Sequence, residues 1–238
     1  MKHIVKNLHN RQVKISLLGV GGTGSLVLSG LVRLNHAILK LGHPYGIKVT
    51  VYDPDFVTEA NIGRQLFTTD EIGQNKATCL VNRYNLGFAL NWEAVPQVFQ
   101  NQSIWNENII ISCVDSKASR KDIYGQIKRT GENLYLIDAG NDGNFGQVLI
   151  GNGSKDLPWP YKVRPELVKG AEQHNAPSCS LAEALAYQDL FINQWMATAV
   201  LELIWRMFRR GELSYRGFYI NLETGRMNPV PISATTTP

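Results

Sequence analysis

The run Gly19-Val20-Gly21-Gly22-Thr23-Gly24-Ser25 puts glycine wherever a backbone would have to turn sharply and approach a ligand closely. If a helix starts there, its first N–H groups are free to meet phosphate. Taken alone, the spacing fits any nucleotide or dinucleotide, and equally a merely structural strand–helix turn. Further along, Asp53-Pro54-Asp55 opens a polar loop that also carries Asn61, Arg64 and Gln65, and Lys76 and Asp115 follow. An acid at position 53 can accept hydrogen bonds from ribose hydroxyls, or simply cap a loop. The cations narrow the choice. Hydride transfer has no use for Arg64, Lys76 and a further carboxylate converging on phosphates, whereas cleavage of a triphosphate does. Arg and Lys can neutralise charge around the transferring phosphorus, and the carboxylate of Asp115 can hold Mg2+.

Such residues need a scaffold that delivers them to one edge, and the apolar pattern supplies it. Val13 to Leu18 is a short apolar run ending in glycine, as a buried parallel strand should. Thr23 to Leu41 repeats apolar residues at helical spacing and stops at Gly42. Ile47 to Tyr52 is a second strand, ending at Asp53; a helix then runs from Lys76 to Leu90. Trp92 to Val98 and Asn108 to Val114 are further strands, the latter ending at Asp115. Ser116 to Thr130 is a helix, and Leu134 to Ala139 and Gln147 to Ile150 are strands. The alternation predicts an α/β fold, a doubly wound, mostly parallel sheet with its site at the carboxyl ends of the strands.

After Gly151 the character changes. Positions 152–180 carry Pro158, Pro160, Pro165 and Pro177 and predict a long excursion over the surface. A long helix from Leu181 to Arg210 follows, then strands Tyr215 to Leu222 and Met227 to Ile232 joined by Glu223-Thr224-Gly225-Arg226. The tail, 233–238, is expected to fray. Nothing forces a split, so residues 1–238 read as one domain.

Composition removes whole classes of function. The chain has 238 residues, 44% of them hydrophobic, and a formal net charge of +4. That is ample for a core, and it excludes collagenous and disordered polymers. Cys79, Cys113 and Cys179 form no close pair, so neither a disulfide framework nor a CxxC zinc clip is expected. A reducing, cytoplasmic setting fits. The first residues lack the apolar core of a signal peptide. The stretch Leu181 to Phe208 is broken by Glu183, Gln188, Asp189, Asn193, Gln194 and Glu202, which argues against a membrane span. No basic run marks a nucleic-acid surface.

In order and spacing, Gly-x-Gly-Gly-x-Gly-Ser, the strand-end Asp-x-Asp, Asn61-x-x-Arg64-Gln65, Lys76 and Asp115 resemble the ThiF/MoeB/ubiquitin-activating superfamily. The likeness continues through Ile137-Asp138-Ala139-Gly140, Gly143 to Val148, the late helix and the strand pair. Within it, the short chain and the stretch Ala176-Pro177-Ser178-Cys179-Ser180-Leu181 look most like the ThiF-related proteins of bacterial PRTRC gene cassettes. The resemblance implies a Rossmann-like adenylation domain that uses ATP and Mg2+ to activate the C-terminal carboxylate of a small ubiquitin-like or sulfur-carrier protein. Matched residue by residue, it implies that Gly19, Gly21, Gly22 and Gly24 line the nucleotide pocket and that Asp53 binds ribose. Asn61, Arg64 and Lys76 would contact phosphates, with Asp55 and Gln65 in support, and Asp115 would position Mg2+. Cys179 would take the acyl group as a thioester, or else be a small residue packing the following helix. A homodimer is implied as well.

The chain departs from the family's common pattern: it has no paired CxxC zinc ligands, its N-terminal stretch is short for an arginine-bearing helix (Arg11 could substitute but reads rather as a solvated strand flank), and no rhodanese-like or ubiquitin-fold domain is expected. Two other functions remain open, an NAD- or FAD-dependent oxidoreductase and a non-catalytic nucleotide-binding scaffold of a plasmid-borne cassette. His3, His9, His36, His43 and His174 show no metal-ligand spacing. Arg120 could reach the site but reads rather as a helix-surface ion pair, and Cys79 and Cys113 read as core. Phe191, Trp195, Trp205 and Phe208 read as core or as a dimer surface, and Trp159 and Tyr161 as a cover for the sheet or a contact for a partner.

Overall fold

Ile109, Ile110, Ile111 and Ser112 have no exposed face, and neither does most of Val13–Leu18. Strands buried on both sides must read as continuous apolar runs, which is the signature of a parallel sheet between helices. The computed structural model, which describes residues 1–6, 8–100, 104, 106–170, 182 and 186–232, bears this out. In chain order the elements are β1 (His3–Ile4), β2 (Val13–Leu18), α1 (Gly22–Lys40), β3 (Ile47–Tyr52), α2 (Lys76–Phe88), β4 (Glu93–Val95), β5 (Ile109–Ser112) and α3 (Lys117–Ile127). There follow β6 (Tyr135–Asp142), β7 (Phe145–Gly151), α4 (Pro160–Val163), α5 (Ile192–Arg210), β8 (Glu212–Leu213), β9 (Tyr215–Asn221) and β10 (Arg226–Pro231).

Eight strands form one sheet in the order β10-β9-β7-β6-β5-β2-β3-β4. The half from β4 to β6 is parallel, with Val13 opposite Ile47 and Ile15 opposite Ile109. The half from β6 to β10 is antiparallel. From β2 the chain first winds to one side, through β3 and β4, and then returns to the other side at β5. That reversal opens a crevice between the carboxyl ends of β2 and β5, where ligands of open α/β sheets bind. One face of the sheet packs α1, α2 and α5 around Leu17, Ile111, Ile137 and Val200; the other packs α3 and the Trp159–Tyr161 stretch around Ile110 and Leu136. Trp159 and Tyr161 are therefore a cover for the sheet.

Several boundaries moved, each for a local reason. The helix expected to reach Leu90 ends at Phe88 because Ala89 is left-handed, at φ 52°. The strand expected over 92–98 keeps only Glu93–Val95. The helix expected from Ser116 begins at Lys117, with the Ser116 hydroxyl accepting from Ser119 N as its cap. The long helix expected from Leu181 is interrupted: Ala182, Ala186 and Tyr187 are helical, residues 188–191 are not, and α5 begins at Ile192. Asp189 Oδ1 accepts from Phe191 N (2.8 Å), a local turn that competes with the helical ladder. The aromatic stripe consequently divides: Phe208 is buried and Trp205 packs against the core, while Phe191 and Trp195 are 63% and 46% exposed. The β1–β8 pair is too short for periodicity to reveal. Cys179, His174 and the tail 233–238 lie outside the described residues.

Candidate active site

The glycine turn is built by contacts that admit no side chain. Gly19 is left-handed (φ +81°), its N–H donates to Tyr52 O (2.8 Å), and a Cβ there would lie 3.1 Å from Cys113 O. At Gly24 a Cβ would stand 1.9 Å from Gly19 O, so the bare Cα lets the first turn of α1 close against the loop. Gly21 precedes α1 as a cap with no side-chain acceptor, and no acidic residue occupies the first turn. The N–H groups at this helix start are left for an anion.

Asp53 is nearly buried and ties the edge together. Its Oδ2 accepts from Val20 N (2.7 Å) and its Oδ1 from Asp55 N (2.9 Å). Burial holds its carboxyl above the ordinary value, outweighing those two donors and the nearby Lys76. Asn75, the cap of α2, accepts from Thr78 N and donates to the carbonyls of Asp53 (2.8 Å) and Asp55 (3.0 Å). Lys76 begins α2 beneath it, and its Nζ meets Asp55 Oδ2 at 3.1 Å.

Arg64 is half-buried. Its Nη1 donates to Gln188 Oε1 (3.0 Å), while its Nε is buried without a protein partner, and burial lowers its pKa. Gln65 Oε1 beside Gly21 is likewise buried and unpartnered. Buried polar atoms in a native fold almost always have partners, so an orphan donor and an orphan acceptor at one cleft fit a polar ligand. Asp115 is exposed at the end of the loop after β5.

One cleft of about 1870 Å³ collects Gly19, Gly21, Gly22, Asp53, Asp55, Arg64, Gln65, Lys76 and Asp115. Gly24 and Asn61 do not line it. Gly24 packs the turn, and Asn61 is a structural cap whose Oδ1 accepts from Thr58 N (2.9 Å). Small-molecule clefts are usually about 300–1,000 Å³, so there is room for a nucleotide and part of a second substrate. No cluster of three or more His, Cys, Asp or Glu suited to a metal is present among the described residues. Mg2+ asks for less, since it is commonly held by one or two carboxylates together with substrate phosphates, and Asp115 suits that manner of binding.

Sequence reading missed the polar ties behind the site. Thr23 Oγ1 and Asn141 Nδ2 both donate to Asn193 Oδ1 (3.0 and 3.2 Å), and Asn193 Nδ2 reaches Gln188, the residue that holds Arg64. The signal was present: Asn193 and Gln188 interrupt an apolar stretch. Arg120 corrects part of an expectation: it makes an ion pair and lines the cleft, but the pair is internal. It is not on the surface but buried, 3.3 Å from fully buried Asp138. Cys113 sits at the cleft wall just past β5, and burial pushes its thiol far above the ordinary range, which makes it a poor nucleophile.

The comparisons agree with this architecture. tRNA threonylcarbamoyladenosine dehydratase of Haemophilus influenzae is 28% identical over 172 residues, covering 67% of this chain and 61% of that protein. The crystal structure of PaaA superposes with a TM-score of 0.65 at 16% identity, covering 93% of this chain and 64% of PaaA. E. coli MccB with ATP gives 0.60 at 14% identity, covering 97% and 66%. These two likenesses establish the fold. The ThiF family model matches residues 6–237, nearly the whole length, and the chain belongs to the ThiF family.

Proposed function

We propose that the protein is an adenylating enzyme that uses ATP and Mg2+ to activate the C-terminal carboxylate of a small ubiquitin-like or sulfur-carrier protein. The observation that carries this reading is the gathering of Arg64, Lys76 and Asp115 in one cleft beside the Gly19 turn. The chemical difficulty is repulsion between two anions. A carboxylate oxygen must attack the α-phosphorus while the bond to pyrophosphate breaks, giving an acyl adenylate and free pyrophosphate. Arg64 and Lys76 would draw negative charge toward the leaving group, and the α1 start would hold phosphate oxygens in line. Mg2+, held by Asp115, would neutralise further charge on the pyrophosphate. Lys76 must first exchange Asp55 for phosphate, which is feasible because the Asp55 carboxylate faces solvent and can be rehydrated.

Cys179 is proposed to receive the acyl group from the adenylate: its thiolate attacks the acyl carbon and AMP leaves. The proposal also includes a homodimer, a cytoplasmic setting suggested by cysteine usage, and membership of the PRTRC-cassette group. No described helix is long and apolar enough to cross a membrane.

Pyrophosphate exchange into ATP, measured with candidate carriers, tests the central claim. Exchange that depends on a carrier and disappears in Asp115→Ala is the expected result; tight NAD binding without exchange would hand the function to the oxidoreductase alternative. A second reading draws on the H. influenzae relative, whose name places its substrate on tRNA, and on Lys121, Lys128 and Lys169 lining the outer part of the cleft. Exchange stimulated by tRNA and not by any carrier would favour it. Intact-mass detection of a carrier conjugate that is lost in Cys179→Ser tests the thioester step.

A further inference from the structure

Asp138 of β6 is fully buried, and one of its oxygens serves three donors. Oδ1 accepts from Tyr161 OH (2.6 Å), Ser112 Oγ (2.9 Å) and Arg120 Nε (3.3 Å). Arg120 has two more nitrogens, and neither reaches a carboxylate. Nη2 donates to the carbonyl of Val114 (2.8 Å) and Nη1 to that of Asp115 (3.4 Å). A Cβ at Gly140 would lie 2.6 Å from Nη2, so the guanidinium passes over a bare Cα to get there. Stability alone does not call for this construction, since a buried ion pair is often matched by apolar residues of similar volume.

What the construction does provide is a fixed main chain at the end of β5. Asp115 is exposed at the cleft, yet its backbone is held from behind by a cation whose charge is balanced in the core. Tyr161 belongs to α4, at the foot of the excursion that leads toward Cys179. We propose that Arg120, seated on Asp138 and Tyr161, is a positioning clasp that aims the Asp115 carboxylate at the metal-bearing edge of the nucleotide. The inference rests on the adenylation reading and deepens it. Arg120 acts only through Asp115 and is not itself a catalytic residue. A guanidinium suits this because its planar fork spreads donors from three nitrogens over one carboxylate and two carbonyls, whereas an ammonium offers its donors from a single point.

The test uses the full chain and two variants that keep the core charge balanced, Arg120→Lys and Tyr161→Phe. Calorimetry gives ATP affinity with and without Mg2+, and circular dichroism confirms that each variant is folded. In Arg120→Lys the gain in affinity conferred by Mg2+ should shrink about 10–100-fold, as for lost supporting contacts around a metal ligand, with Mg2+-free binding changed by less than about twofold. Tyr161→Phe should move the same quantity in the same direction by a smaller factor. In exchange assays, run with Mg2+, KM for ATP should rise by a comparable factor. A folded Arg120→Lys protein that retains the full Mg2+ gain overturns the clasp, as does one that loses affinity equally with and without the metal. Should the wild-type protein show no exchange with any carrier, the adenylation reading fails, while the Mg2+-linked ATP binding still reports on Arg120 separately.

Discussion

Two cation–carboxylate pairs, one in the cleft and one reaching into the core behind it, behave oppositely. In Lys76–Asp55 the lysine is nearly buried, but the acid's side chain is 65% exposed and the pair rests on one 3.1 Å contact. In Arg120–Asp138 the acid is 0% exposed and three donors converge on one of its oxygens. An exposed carboxylate can be given up to water when phosphate arrives, whereas a buried one cannot be released without stranding a charge. The exposure of the acid therefore separates a cation available to a ligand from one committed to the scaffold. Arg64 lies on the available side, because its partner Gln188 is neutral.

The largest effect should come from breaking the committed pair. Asp138→Ala strands Arg120 in the core and should cost about 3–5 kcal/mol in urea unfolding, against less than about 1 kcal/mol for Asp55→Ala. Equal costs would erase the distinction. Next in size, Lys76→Met should reduce pyrophosphate exchange by roughly 10²–10³-fold, the scale of one lost transition-state donor, while leaving the unfolding midpoint nearly unchanged. A Lys76→Met protein that exchanges normally would show that Asp55 never releases its partner.

Asp53 supplies the smallest and most discriminating case, since it is buried like Asp138 but is held chiefly by backbone N–H groups. Burial raises its pKa above 3.8, so the folded state binds more protons than the unfolded state between those two values. Its contribution to stability is therefore full below the unfolded value and is lost as pH rises through the folded one. Unfolding free energies of wild type minus Asp53→Asn, followed across acidic pH, should fall through that window; a rise would mean that the N–H donors dominate burial.

Much of this edge was legible in the chain. Glycine at 19 and 24, the strand end at Tyr52 and the helix start at Lys76 all follow from short-range rules, whereas β5 stops at Ser112, two residues before the expected end at Val114. Asn61 shows what such rules leave out, because its Oδ1 caps Thr58 N, a structural duty the loop pattern did not reveal. Arg120 shows it again: a cation in a charged helical pattern looks solvated until Asp138 and Tyr161 are brought beneath it. The break at Asp189 could not be weighed against a helix-compatible pattern without knowing that Asp189 N donates to Gly143 O.

The sequence by itself determined the order of strands and helices and the placing of glycine, carboxylate and cation at strand ends. Those features depend on apolar runs and backbone permissions that act within a few residues. Only the tertiary structure decided which charges meet. Arg64 and Gln188 are 124 positions apart and Thr23 and Asn193 are 170 apart, so their contacts arise from packing α5 and the bend just before it against the glycine turn and its neighbouring loop. Which acid is buried and which faces water is set by that packing, and so is which cation remains free to receive a phosphate.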